Sequence, residues 1–106
     1  MRTATEAQIQ RGVLDYLELL SRKKPIYYFR SAAGMVRTEQ GRIFKTGKPG
    51  TPDICVCYEG VFYGLEIKTT TGRQSELQKI AQRQIESAGG RYHIIRCLED
   101  VWEIFR

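Results

Sequence analysis

Two carboxylates and a lysine, Asp53, Glu66 and Lys68, sit in a stretch that otherwise reads as packing sequence. Residues 53–58 and 61–68 are rich in β-branched and aromatic side chains with Glu59-Gly60 between them, which predicts a β-hairpin closed by a two-residue turn. In that register Tyr58 faces Val61 and Asp53 faces Glu66. Side chains opposite one another on antiparallel strands stand roughly 4.5–5.5 Å apart at Cβ, and like charges there repel. A divalent cation is the natural counter-charge, because hard ions such as Mg²⁺ take oxygen ligands and are commonly held by one or two carboxylates with water and substrate phosphate. Strand alternation brings Lys68 to the face of Glu66. Separately, each piece has a plain alternative: an ion pair at a solvated strand end for Glu66 and Lys68, a simple turn for Pro52-Asp53. The registered combination is what points to a site.

The flanking elements must position that hairpin. Residues Thr5 to Ser21 predict an amphipathic helix with Ile9, Val13, Tyr16, Leu17 and Leu20 on its inner stripe. Glu6 falls on the same stripe, where it either joins the acidic group or serves the helix end, since Thr3-x-x-Glu6 fits a capping box. Pro25 forces an extended start to a short strand, Ile26 to Ser31, with Ile26, Tyr28 and Arg30 on one face and Tyr27, Phe29 and Ser31 on the other. Arg30 is either a phosphate contact or a surface cation of an edge strand. Residues Gly34 to Gly50 are polar and Gly-rich, carry Arg37, Arg42, Lys45 and Lys48, and predict a basic hairpin arm over Met35 to Phe44 turning near Gln40-Gly41. Such an arm suits phosphate binding, because catalytic carboxylates repel nucleic acid and neighbouring cations attract it; the plain alternative is a solvated loop.

After Lys68 a turn containing Gly72 and Arg73 leads to a helix over Ser75 to Ala88, with Leu77, Ala81, Gln84 or Ile85, and Ala88 expected inside. Ser75-x-x-Gln78 is a second capping box. Arg91 to Cys97 predicts a strand central in the sheet, with His93 structural, and Leu98 to Phe105 a closing helix packed through Val101, Trp102 and Phe105.

The chain has 106 residues, enough for one domain and one core. Its net charge of +5 suits an anionic partner without proving one. No run of about 18 apolar residues spans a bilayer and no secretory signal is visible, so the cytosol is the expected compartment. Cys55, Cys57 and Cys97 read as buried thiols in a reducing environment. A zinc site would want four spaced ligands, and the single histidine has no obvious partners.

Gly50-x-Pro52-Asp53, Glu66-x-Lys68, Gly72 and Gln78 together resemble the motif set of the PD-(D/E)xK nuclease superfamily, and within it the virus-type replication-repair nuclease (VRR-NUC) family. The resemblance covers nearly the whole chain, residues 1–106 as a single domain, although Ser31-Ala32-Ala33 stands where family members often carry Asn after the Arg. It implies an α/β, restriction-endonuclease-like core: a mixed β-sheet flanked by helices in the order α-β-β-β-α-β, plus a short C-terminal helix. It further implies a Mg²⁺- or Mn²⁺-dependent deoxyribonuclease with Asp53, Glu66, Lys68 and Gln78 catalytic. Glu6, Asp53, Glu66 and the Ile67 carbonyl would hold metal, and Arg30, Arg37, Arg42, Lys45, Lys48 and Arg73 would contact DNA. By likeness to Holliday-junction resolvases, a homodimer acting on branched DNA such as four-way junctions is expected. The rival readings are a non-catalytic DNA-binding module on the same fold and a protein-interaction domain.

Overall fold

The computed structural model describes residues 3–31 and 34–106, with the side chains of residues 34–36 and 44–46 outside that description. Helix α1 (Glu6–Ser21) is followed by β1 (Ile26–Arg30), the pair β2 (Gly34–Arg37) and β3 (Ile43–Thr46), then β4 (Ile54–Tyr58), β5 (Val61–Ile67), α2 (Glu76–Ser87), β6 (Arg91–Ile95) and α3 (Leu98–Phe105). The main sheet has the order β1-β4-β5-β6; β5 and β6 run parallel and the other pairs antiparallel, with α2 as the crossover. Strands β2 and β3 form the separate basic hairpin. This is the expected mixed sheet flanked by helices, in the expected order.

Helices α1 and α3 cover one face of the sheet. Ile9, Val13 and Leu17 of α1 meet Ile54, Val56, Leu65, Ile67 and Ile95 of the strands and Val101 and Phe105 of α3 in one continuous core. Helix α2 covers part of the opposite face. Gly64 makes its approach possible: a Cβ there would stand 2.6 Å from Pro52 Cγ and 3.3 Å from Ile85 Cδ1. No described helix is long and apolar enough to cross a membrane.

Several details differ from the sequence expectation. Strand β6 is an edge strand, because its partner β5 lies on one side only and α3 turns back over the sheet instead of leading to another strand. The N-cap of α1 is Thr5 with Gln8, not Thr3 with Glu6. The inner side of α2 is Gln78, Ala81, Gln82 and Ile85, while Leu77, Gln84 and Ala88 are exposed. A helix lying on a single sheet face buries a narrower stripe than its apolar content suggests. Trp102 is likewise exposed at 43 %, its ring 6.4 Å from that of Tyr16. All three cysteines are free thiols, but only Cys55 is buried; Cys57 is exposed near the hairpin end of β4, and Cys97 lies outside the sheet as the N-cap residue of α3.

Candidate active site

The turn that sets the register is Glu59-Gly60, with φ of +52° and +76°. Two consecutive positive φ values are the mark of a type I′ turn, whose twist matches that of the flanking strands, and glycine carries the second at no steric cost. Tyr58 then pairs Val61, and the ladder runs to Ile54 opposite Leu65. Asp53 is the next residue back and Glu66 the next residue on. At this point β4 ends: the Asp53 carbonyl accepts from Ser31 N at 2.8 Å, and its Oδ2 accepts from the Ile67 amide at 2.8 Å. The carboxylate thus replaces a backbone acceptor at the frayed end of the ladder, which fixes it against β5.

Gly50 sets up this geometry from the N-terminal side. Its φ is +80°, and the Leu77 carbonyl lies where a Cβ would be, so the loop entering Asp53 runs directly over the first turn of α2. Only glycine combines that backbone conformation with that approach.

Glu66 is 2 % exposed. Its Oε2 accepts from Gln78 Nε2 at 3.0 Å and lies 3.9 Å from Lys68 Nζ. Its Oε1 is buried and has no hydrogen-bond partner among the described residues. Burial pushes the carboxyl up to about 8. Asp53 adds to the shift by hydrogen bonding and by repulsion, and Lys68 opposes it. A buried acceptor without a partner costs free energy, and a hard divalent cation held by Glu66 and Asp53 would offset both that cost and the repulsion between the two acids. The donor set, two neighbouring carboxylates, is of the type that holds Mg²⁺ or Mn²⁺. No group of three His, Cys, Asp or Glu side chains closes on one point among the described residues.

Gln78 serves two purposes with one amide. Its Oε1 accepts from Ser75 N at 2.8 Å while Ser75 Oγ accepts from Gln78 N, which completes the capping box of α2. Its Nε2 is left to donate to Glu66. The start of α2 and the carboxylate are therefore one hydrogen-bonded unit.

Glu6 is exposed in the first turn of α1, because the inner stripe of that helix reaches the sheet only from Ile9 onward. Its charge still reaches Glu66 as the weakest of the influences raising that carboxyl. Arg30, Arg37, Arg42, Lys48 and Arg73 are exposed, and the Lys45 side chain lies outside the described residues. Exposed cations can meet an anionic polymer, and the ion pairs formed among the described residues draw on other side chains.

Two groups escape a reading by motif. Tyr92 is buried on the same sheet face as Glu66, its hydroxyl accepting from Gln74 Nε2 at 3.1 Å. Burial pushes that hydroxyl up to about 12, with the Glu66 and Asp53 charges adding to the effect, so it stays protonated. Arg96, just beyond β6, donates through Nη1 to the carbonyls of Thr69 and Gly72 at 2.5 and 2.8 Å. Neither has a local sequence signal, because both reach the site through the parallel crossover.

Among solved structures, one of a VRR_NUC domain superimposes with a TM-score of 0.65 over 95 % of both chains, at 17 % sequence identity. The chain has the fold of a VRR_NUC domain. At that identity the likeness carries the fold and leaves the chemistry to the residues. No family model and no curated protein matches the sequence.

Proposed function

We propose that this protein is a metal-dependent DNA nuclease of the VRR-NUC type. The observation that carries the reading is Glu66: a buried acid whose Oε2 accepts from Gln78 and lies near Lys68, and whose carboxyl is pushed up by burial and by the neighbouring acid Asp53.

Asp53, Glu66 and the Ile67 carbonyl would hold Mg²⁺ or Mn²⁺, while Glu6, exposed on α1, stands outside that set and adds only its charge. When bound, the ion polarises the scissile phosphate and makes water a competent nucleophile at neutral pH. Asp53 is held by the Ile67 amide, so its free oxygen keeps a fixed direction. Lys68, whose side chain is 13 % exposed, holds its ammonium 3.9 Å from Glu66 Oε2. There it orients the attacking water and offsets charge that builds on the phosphoryl oxygens. Gln78 fixes the Glu66 oxygen that faces Lys68 and so sets the separation of the two. Arg30, Arg37, Arg42, Lys45, Lys48 and Arg73 bind the DNA backbone. A small domain offers limited surface to a duplex, and we expect a homodimer whose paired sites act as an endonuclease on branched DNA such as four-way junctions.

The test is cleavage of supercoiled, linear and four-way-junction DNA with Mg²⁺, Mn²⁺ or EDTA, run beside Lys68→Ala and with light scattering for mass. Metal-dependent cutting of the junction, slowed about 100- to 1,000-fold but still measurable in Lys68→Ala, is the expected result. Tight, salt-sensitive binding with no cutting in any metal would replace the nuclease with a DNA-binding module.

A further inference from the structure

We propose that Arg96 is a positioning residue for Lys68, acting through the turn that joins β5 to α2; its consequence for cleavage rests on the nuclease reading above. Lys68 is anchored at its backbone by a hydrogen bond from its N–H to the Ile95 carbonyl at 2.9 Å. Nothing in that bond fixes the four-carbon stem. The turn flanks the stem at Gly72: a Cβ built there would come to 3.4 Å from Lys68 Cδ, so the Gly72 backbone passes beside the lysine with little more than a methyl group's width between them.

The turn that carries Gly72 is short of ties of its own. It has one internal backbone bond, Gly72 N to the Thr69 carbonyl at 3.2 Å. Arg96 adds two more, donating to the Thr69 and Gly72 carbonyls from one nitrogen. Charge-assisted bonds of this kind are stronger than neutral ones, and the planar guanidinium holds its donors in a rigid arrangement that an ammonium lacks. Arg96 is itself anchored: its N–H donates to Asp100 Oδ2 at 2.8 Å, in the first turn of α3. A continuous path therefore runs from α3, through Asp100 and Arg96, to the turn and onto the stem of Lys68. Downstream of the same turn, Gln74 binds Gln82 and Tyr92, and Ser75 caps α2. Loss of the clamp frees the segment between two fixed points, and Lys68 is the functional side chain beneath it.

Two measurements on the full chain test this. The first needs no activity: acylation of lysine amines by a water-soluble succinimidyl ester, quantified residue by residue by mass spectrometry. Arg96→Ala should raise the labelling rate of Lys68 by about tenfold, with exposed Lys23 unchanged and Arg96→Lys intermediate, as local opening replaces a held stem. The second is single-turnover cleavage with bound DNA. Arg96→Ala should slow it by about 10- to 100-fold, the scale of a displaced catalytic group, with DNA affinity held within about twofold. In a Lys68→Ala background the same substitution should cost nothing further, because the two act as a unit. Unchanged Lys68 labelling in folded Arg96→Ala, or an equal rate loss in both backgrounds, overturns the proposal. If the wild type cuts no DNA, the nuclease reading fails and the labelling alone decides the role of Arg96. Should Arg96→Ala not fold, Arg96→Lys carries both comparisons.

Discussion

Replacing Glu66 by Gln should make the metal-free protein more stable above neutral pH, although it removes a residue proposed for the site. The free Glu66 carboxyl titrates near 4.5 in an unfolded chain and near 8 in the fold, with burial the chief cause. Between those values the native state binds a proton that the unfolded state has released. The slope of unfolding free energy with pH is then negative, about 1.4 kcal/mol lost per unit. The stabilisation is fully present below about 4.5, declines through the window, and is gone once pH passes about 8. Over the whole window this amounts to roughly 5 kcal/mol as an upper bound, since water penetration relieves the burial. Glu66→Gln keeps an acceptor for Gln78 Nε2 and never ionises, so it lacks the slope. Urea denaturation of both proteins in EDTA from pH 5 to 9 reads the difference directly, and other titrating groups cancel in the comparison. The same proton must leave for a cation to enter. Mn²⁺ affinity of the wild type should therefore rise about tenfold from pH 6 to 7 and level off above about 8, with proton release visible as buffer-dependent heats in calorimetry. Wild-type and Glu66→Gln stability curves that run parallel from pH 5 to 8 would refute the assignment of a buried, protonated Glu66.

The remaining predictions test the surroundings of that carboxyl. Gln78→Glu keeps the capping box, because Glu is as good as Gln at that position, but sets a carboxylate against Glu66; thermal stability at pH 5 should hold while Mn²⁺-supported cleavage falls at least about tenfold. Loss of stability with activity intact would make Gln78 a cap and nothing more. Gly64→Ala forces a methyl to within 2.6 Å of the rigid Pro52 ring, which should cost about 1–3 kcal/mol by overpacking; calorimetry giving an unchanged Tm would show that the Pro52–Asp53 segment is not held there. Arg37, Arg42 and Lys48 changed together to Ala should weaken DNA binding and lower the slope of log K against log salt by about 0.9 for each phosphate that these cations neutralise. An unchanged slope in a filter-binding titration would remove the arm from the interface.

The hairpin was legible because every fact needed to build it is local. Alternation of Val61 to Lys68, a Glu-Gly turn and the positions of Asp53 and Glu66 define the register without reference to the rest of the chain, and the observed pairing of Tyr58 with Val61 follows it. Both capping residues of α2 were local too, which is why Gln78 could be read as a cap, whereas its place beside Glu66 came from the family resemblance alone. What local pattern cannot encode is how far a neighbour extends. Glu6 sits on the right stripe of α1, yet the sheet ends before it; Leu77 and Trp102 sit on apolar stripes wider than the faces that receive them. The placement of β6 at the edge is of the same kind, since two isoleucines describe a buried strand equally well in the middle of a sheet or beneath a helix.

Arg96 and Tyr92 show why the periphery of the site was the least legible part. They lie 28 and 26 residues beyond Lys68 and Glu66 in sequence, and come beside them only because β5 and β6 pair in parallel across α2. A parallel crossover aligns the ends of both strands at one edge, so residues just after β6 necessarily stand beside residues just after β5. That placement brings Arg96 within reach of the Thr69 to Gly72 turn. The topology thus supplies a cation where the chain must leave the sheet and start a helix while keeping Lys68 still. A hairpin alone could bring Asp53 and Glu66 together, but it could not supply the Arg96 bonds to the turn that follows Lys68.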